Sequence, residues 1–344
     1  MYELTRQQAQ HIVDRMMKDI PYNINIMDRT GIIIGSGNKA RIGTLHYGAA
    51  QAIKQREVVE IREDGQYVKK GINLPIELGD AILGVVGISG EVEDTRPFGN
   101  LLKTAVALLI EQNMALEKKN LRNHLKQEFF NGLIQPETAY TSELAEQAAT
   151  YGLELSKPSQ VVLAEFPGEF AEDTIKSVPS FRASNHSLCF ILQEADKPAQ
   201  TDALLQTVLE RHPGAGLAVS KWNETVAEGY AQSKAAMRVL RGVYFKESAI
   251  HYSACELVAD LAKQLRADPR TERLAHLLEK NEELTRTLQT YLSCNLNANE
   301  TAAQLMIHRN TLHYRLNKIH SLTGKDPRQI LQLVELVFML IHRV

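Results

Sequence analysis

Asn299-Glu-Thr-Ala-Ala-Gln-Leu-Met-Ile-His-Arg-Asn-Thr-Leu-His-Tyr-Arg-Leu-Asn-Lys-Ile319 decides how the chain is read. Its pattern predicts two helices joined by a tight turn. Asn299 can cap a short helix running through Leu305. Ala302 is small where two helices must approach closely. Leu305, Ile307 and Leu312 fall where a helix-turn-helix buries apolar side chains, and Leu316 and Ile319 extend that inner face. The turn is Met306-Ile307-His308, the length the motif requires, without the glycine many such turns contain. The second helix then exposes Arg309, Asn310, Thr311, His313, Tyr314, Arg315, Asn317 and Lys318, side chains that bond phosphates and base edges. Residues 299–328 hold five basic side chains (Arg309, Arg315, Lys318, Lys325, Arg328) against two acids (Glu300, Asp326), a local charge of +3 in a chain of net charge −2. Charge alone would suit a solvated helix in an ordinary bundle. The joint match of small residue, turn, buried leucines and polar outer face points to double-stranded DNA.

Outside this stretch the composition is that of a soluble globular protein. The length of 344 residues suggests about two or three domains. Cys189, Cys255 and Cys294 are far apart and form no CxxC pair, so they predict neither a metal site nor a disulfide framework and suit a reducing cytoplasm. The apolar run Leu101 to Ile110 contains Lys103 and is shorter than the roughly 20 residues a bilayer demands. No membrane contact is expected.

Residues 1–20 read as an amphipathic helix stopped by Pro21. Asn23 to Met27 and Ile32 to Gly35 flank the turn Asp28-Arg29-Thr30-Gly31, a hairpin signal. A helix is predicted from about Leu45 to Arg56, followed by strands at Val58 to Arg62, Tyr67 to Leu74 and Ala81 to Ile88. From Phe98 to about Ile134 the pattern is one long helix. Leu102, Leu109 and Leu116 repeat every seven residues, and Leu121, Leu125 and Phe129 continue at spacing four. That fits a dimer stalk, and equally a helix packed on its own chain. Residues 136–250 alternate strands and helices, and everything after Ala254 reads as helix, broken at Asp268-Pro269, at Asn295 to Asn299 and at Gly324 to Pro327. The fold class is therefore α+β and multidomain, with a sensor and long signalling helix (1–135), a small α+β middle domain (136–250) and an all-α output domain (251–344).

Thr301-Ala-Ala-Gln-Leu, His308-Arg-Asn-Thr-Leu-His-Tyr-Arg-Leu and Leu322-Thr-Gly resemble the PucR-type C-terminal helix-turn-helix, itself similar to the Fis-type motif. Asn25-Ile-Met-Asp, Gly31-Ile-Ile-Ile-Gly-Ser, Arg41-Ile-Gly-Thr-Leu-His-Tyr-Gly-Ala, Pro75-Ile and Leu83-Gly-Val-Val-Gly-Ile-Ser-Gly resemble the sugar-diacid recognition domain of carbohydrate diacid regulators. That resemblance implies a PAS- or Cache-like sensor and a regulator answering to small hydroxy acids such as glycerate and glucarate. The middle region resembles a degenerate GGDEF-like domain. It contains no GGDEF or GGEEF sequence, so relay or dimerisation is implied rather than cyclic-dinucleotide synthesis.

The sensor residues suit a carboxylate, which needs a cation, hydroxyls and free backbone N–H groups. Arg41, Gly43, Thr44 and His46 supply these at the entrance to a helix, whose N-terminus favours an anion. Lys69, Lys70 and Asn73 are read on a strand, where alternation lets only one of the two lysines face inward. Ser36 and Ser89 complete the candidate effector site, in which Arg41 and His46 form the central pair. The expected partners are DNA, a small carboxylate and a second copy of the chain in a homodimer. A protein-binding adaptor is the rival reading. GxSxG, P-loop, dinucleotide and HExxH signatures are missing, so no enzyme and no cofactor are expected.

Overall fold

A computed structural model describes residues 4–65, 68–168, 170, 178–193, 198–265, 276 and 280–342. The chain divides into two compact units, residues 1–124 and 125–344. Both are mixed α and β.

The first unit opens with α1 (Arg6–Met16), started by a capping box in which Thr5 and Gln8 satisfy each other's backbone N–H groups. β1 (Asn23–Met27) and β2 (Ile33–Ser36) form the expected hairpin. Its turn is held by Asp28, whose Oδ1 accepts from the N–H groups of Thr30 and Ile32. After a short 3₁₀ turn at Lys39–Arg41 come α2 (Tyr47–Gln55), β3 (Val59–Ile61), β4 (Gly71–Leu78) and β5 (Ala81–Ser89). The five strands form one antiparallel sheet in the order β2-β1-β5-β4-β3. β4 starts later than Tyr67 and runs through Pro75, because Lys69 and Lys70 are held in a turn by Asp64. α3 (Val92–Leu133) also starts earlier than read, with Pro97 as its sixth residue inside the helix.

Alternation along the strands gives this sheet two faces. Ile24, Ile26, Ile72, Leu74, Val86 and Ile88 pack with α1 and the first half of α3. The other face carries Met27, Ile33, Val59 and Val85 against Ala49 and Ala52 of α2. Leu102 and Leu109 belong to the first core, so the front of the heptad pattern is packing on the chain itself, whereas Leu116, Leu121 and Leu125 are exposed.

The second unit contains α4 (Ser142–Thr150), β6 (Ser159–Glu165), β7 (Ser180–Ser184), β8 (Ser187–Leu192), α5 (Pro198–Arg211), β9 (Gly216–Asn223), α6 (Val226–Gly242), β10 (Ala249–His251) and α7 (Tyr252–Leu265). Its sheet has the order β10-β9-β6-β8-β7. The sequence reading missed β7 and β10, the two edge strands, where half-exposed residues blur the apolar signal. Tyr252, Cys255 and Ala259 of α7 pack against α6 in this domain's core. The break read at Asp268-Pro269 lies outside the described residues. The remaining helices are α8 (Glu282–Ser293), α9 (Ala298–Gln304), α10 (Arg309–Thr323) and α11 (Ile330–His342).

α11 joins two cores. Leu333, Leu336, Met339 and Leu340 pack with α8 and α10, while Val337, Phe338 and Ile341 pack with α6 and α7. Gln289 of α8 donates to the carbonyls of Arg241 and Gly242 at the end of α6, 3.0 Å each, satisfying a helix terminus that would otherwise lack partners. Gly242 leaves no room for a side chain, since a Cβ there would lie 2.9 Å from the carbonyl oxygen of Leu340. Gly242→Ala is therefore expected to destabilise the docking of α11 by about 1–3 kcal/mol. Chemical denaturation of the full chain checks this, and an unchanged midpoint would contradict it.

Candidate functional site

In the first unit, register places Ser36, Asn25, Gly87, Asn73 and Val59 in one row across the α2-facing side of the sheet. Three of the five are polar, and Ser36, Asn25 and Asn73 are all buried. Buried polar groups must be hydrogen-bonded, and most of these are. Ser36 Oγ donates to Asn25 Oδ1 at 2.7 Å. Asn23 Nδ2 donates to the same oxygen, and Asn25 Nδ2 donates to Ser89 Oγ at 3.4 Å. Asn25 is thus the hub of the row. The sequence reading quoted it only within a family pattern. The signal was there: Asn23 and Asn25 alternate with isoleucines on a strand buried on both faces. Gln10 of α1 bonds both the N–H and the carbonyl of Ser36, closing the edge of β2.

Asn73 is in place on β4, wedged between glycines. A Cβ on Gly48 would lie 2.7 Å from Asn73 Nδ2 and one on Gly87 3.0 Å from its Oδ1. Asn73 Nδ2 reaches the Val59 carbonyl at 3.4 Å, and its Oδ1 accepts no hydrogen bond among the described residues. His46 is next to it and caps α2, its Nδ1 accepting from the Ala49 N–H at 3.3 Å. That bond assigns the proton to Nε2, which has no acceptor among the described residues. Burial, with Arg41 nearby adding to it, pushes the His46 pKa down to about 4, so the ring is neutral at pH 7. Arg41 is half-buried, and desolvation pulls its pKa below the usual range against the attraction of Asp64. Its guanidinium makes no hydrogen bond or ion pair among the described residues.

The other expected effector residues are placed differently. Gly43 and Thr44 are exposed, and their N–H groups are bonded to the carbonyls of Ile33 and Arg41. They offer no free N–H groups, because this loop pairs with the start of β2. Lys69 and Lys70 precede the strand rather than lying on it. Lys69 Nζ is 2.9 Å from Asp64, and Lys70 pairs with Glu91. Arg41, His46, Asn73, Ser36 and Ser89 are brought to one face of the sheet or its covering loop.

In the second unit, α9 ends at Gln304 and α10 begins at Arg309, so the turn is the one expected. The helix cap is Asn297 rather than Asn299, accepting from the N–H groups of Asn299 and Glu300. Met306 takes the left-handed conformation (φ 51°) in which glycine is common, and is almost fully exposed. His308 caps α10 through Nδ1, and Gly324 ends it at φ 72°. Leu312, Leu316 and Ile319 are fully buried, and Arg309, Asn310, Thr311, Tyr314, Asn317 and Lys318 are exposed. His313 is half-buried. Arg315 is not on the open face: its side chain is 17 % exposed, and its guanidinium lies 2.5 Å from Glu283 and 3.4 Å from Thr287, both on α8. Lys325 pairs with Glu335 and Arg328 with Asp326. Of the five cations counted in the sequence, Arg309 and Lys318 form no ion pair among the described residues. With the three paired cations set aside, these two stand against Glu300 in the segment counted.

Residues 4–133 match the sugar diacid recognition family, and residues 284–341 match the PucR C-terminal helix-turn-helix domain. The carbohydrate diacid regulator of Escherichia coli is 32 % identical, over 94 % of both chains. The chain belongs to the carbohydrate diacid regulator family. The uncharacterized Bacillus subtilis protein YsfB is similar along nearly the whole length, at 27 % identity over 92 % of each chain. The purine catabolism regulatory protein of Bacillus subtilis is 40 % identical over 63 residues, 17 % of this chain and 12 % of that one. As a member of this family with a PucR helix-turn-helix, the chain is a DNA-binding transcription regulator and not an enzyme. Among the described residues no helix is long and apolar enough to cross a membrane.

His46 gives this regulator a pH signature. Its folded pKa lies below the unfolded value, so between about 6.5 and about 4 the unfolded chain binds more protons. Its contribution to stability is intact above that window and lost as pH falls through it. Urea denaturation at stepped pH should show the wild type losing more stability than His46→Gln between pH 7 and 4.5. Parallel curves would contradict the buried neutral histidine.

Proposed function

We propose that this chain is a transcription regulator whose affinity for a specific double-stranded DNA site is set by a small hydroxy acid or sugar diacid, of the glycerate, glucarate or galactarate kind. The observation that carries the DNA half is the division of α10 into a buried inner face and an outer face bearing Arg309 and Lys318, which form no ion pair among the described residues. Arg309, Asn310 and Thr311 lie in its first turn, the part of a recognition helix that meets base edges in the major groove. Tyr314, His313 and Lys318 extend the contact along the groove. Arg315 positions α10 on α8 through Glu283 rather than meeting DNA.

The effector binds on the α2-facing side of the N-terminal sheet, at Arg41, His46, Asn73, Ser36 and Ser89. Support comes from three polar groups there with no partner among the described residues: the Arg41 guanidinium, His46 Nε2 and Asn73 Oδ1. The strand order β2-β1-β5-β4-β3 supports a PAS-like sensor. The chain acts in the cytoplasm as a homodimer, a reading supported by the exposed Leu116, Leu121 and Leu125 of α3. In functional terms, residues 1–135 sense, the GGDEF-like middle domain (136–250) relays, and residues 251–344 bind DNA. Effector binding shifts the balance between conformations that place the two helix-turn-helix motifs differently.

Anisotropy titration against the chain's own promoter region, from about 50 to 200 mM salt, tests the DNA half. Arg309→Ala and Lys318→Ala are each expected to lower the slope of log affinity against log salt by about 1. Arg315→Ala is expected to weaken binding with a smaller change in slope, since Glu283 already neutralises that charge. No binding at low salt would overturn the proposal in favour of a protein-binding adaptor.

A further inference from the structure

We infer that Ile330, Leu331 and Val334 of α11, with Leu322 of α10, form a surface on which a second copy of this chain docks, joining the two DNA-binding domains and setting their DNA half-sites one helical turn apart. The inference rests on the DNA-binding and homodimer readings above and goes beyond them, because it places a contact between the DNA-binding domains themselves.

α11 lacks cover on one side. Ten of its 13 residues are apolar. A helix that is apolar all round is ordinarily buried all round. At 13 residues α11 is too short to cross a bilayer, which takes about 20. One side, with Leu333, Leu336, Met339 and Leu340, packs with α8 and α10. A second, with Val337, Phe338 and Ile341, packs with α6 and α7. The third carries Leu331 at 82 % exposure, Ile330 at 73 % and Val334 at 46 %. Leu322, in the last turn of α10, is also exposed. Single exposed aliphatic side chains are ordinary, but four at one end of a domain mark a contact.

Charge selects the occupant. From Gly324 to Val337 the ionised side chains are Lys325, Asp326, Arg328 and Glu335, and they pair as Lys325–Glu335 and Arg328–Asp326. The rim of the patch therefore has no net charge. It offers neither the cations that a DNA backbone needs nor a field for a strongly acidic or basic protein. A rim of both signs is its own complement under a two-fold rotation, where identical surfaces meet. Lys318, one turn before Leu322, is the nearest cation of α10 with no ion pair among the described residues. The patch thus begins where the DNA-facing surface ends.

Position selects the same occupant. Arg328 reaches back to Asn317 at 2.9 Å and Lys325 reaches forward to Glu335, so the end of α10 and the start of α11 lie side by side. Arg309 to Thr311, the turn that meets base edges, is at the other end of α10. From Asn310 to Leu322 the helix rises about 18 Å. Two copies joined at their Leu322 ends by a two-fold axis present these turns up to about 36 Å apart. Half-sites one turn apart on B-DNA are separated by about 34–36 Å. Four side chains cover less than the roughly 800 Å² per partner of a stable interface. The contact therefore closes between copies already tethered through α3 and aligned by DNA.

The test compares the spacing preference of the full chain, wild type against Leu331→Asp. Hydroxyl-radical footprinting on the chain's own promoter region is expected to show two protected segments with centres about 10 base pairs apart. Inserting about half a turn of DNA between them is expected to weaken wild-type binding about tenfold or more in an anisotropy titration. In Leu331→Asp the same insertion is expected to change affinity less than about twofold. Its denaturation midpoint is expected to match the wild type, because the replaced side chain lies on the surface. An insertion effect equal to that of the wild type would overturn the inference. So would a single protected segment, or a lowered midpoint, which would mean that the chain itself covers this face. By sedimentation both proteins are expected to be dimers held through α3. A dimeric wild type without a spacing preference would overturn this inference alone. A monomeric wild type would overturn the homodimer reading, and the inference with it.

Discussion

A polar group taken out of water must be given a partner by the protein or by something the protein binds. The row Ser36, Asn25, Asn73 puts that demand in the interior of the N-terminal unit, on a sheet whose other face is filled with isoleucine, leucine and valine. The protein answers most of it itself. Asn25 takes hydrogen bonds from Ser36 and Asn23, and Gln10 closes the exposed edge of β2. Three groups have no partner among the described residues: the Asn73 amide oxygen, the His46 ring N–H and the Arg41 guanidinium. On the proposed reading, these are the groups that a small acid would satisfy.

The output depends on the opposite arrangement, in which nothing on the inner side is left open. Leu312, Leu316 and Ile319 are fixed among α8, α9 and α11, and Arg315 is tied to Glu283. The reading residues of α10 thereby stand on a rigid base. That base extends beyond the helix-turn-helix, because α11 contributes to the core of the middle domain as well, and Gln289 holds the end of α6. The helix-turn-helix is thereby packed onto the middle domain within one compact unit. α3 is the covalent path from the sensor: it leaves β5 directly after Ser89, which the Asn25 amide touches, and continues to Phe129 and Phe130 in the middle domain's core.

Much of this is legible in the sequence, for identifiable reasons. Periodicity found nearly every helix and the central strands, since a buried face repeats with its own period. The turn of the helix-turn-helix was placed correctly because Leu305 and Leu312 bracket it. Pairing was not legible. Arg315 and Lys325 look like free cations in a string of letters, because their acidic partners Glu283 and Glu335 lie outside the segment counted. Lys70 was misplaced for the same reason, because a strand pattern does not reveal that Asp64 folds residues 64–70 into a turn. Asn25 was missed because its importance comes from three neighbours on three strands. The edge strands β7 and β10 were missed because half of each faces water.

The central claim is that one small acid and one DNA site act on the same equilibrium. Linkage makes this directly measurable: if glycerate changes affinity for DNA by some factor, DNA must change affinity for glycerate by that same factor. The measurement is the glycerate dissociation constant of the full chain, free and saturated with its operator fragment. The account predicts two different constants, separated by the factor that glycerate imposes on operator affinity. Equal constants, with glycerate and DNA both binding normally, would contradict it.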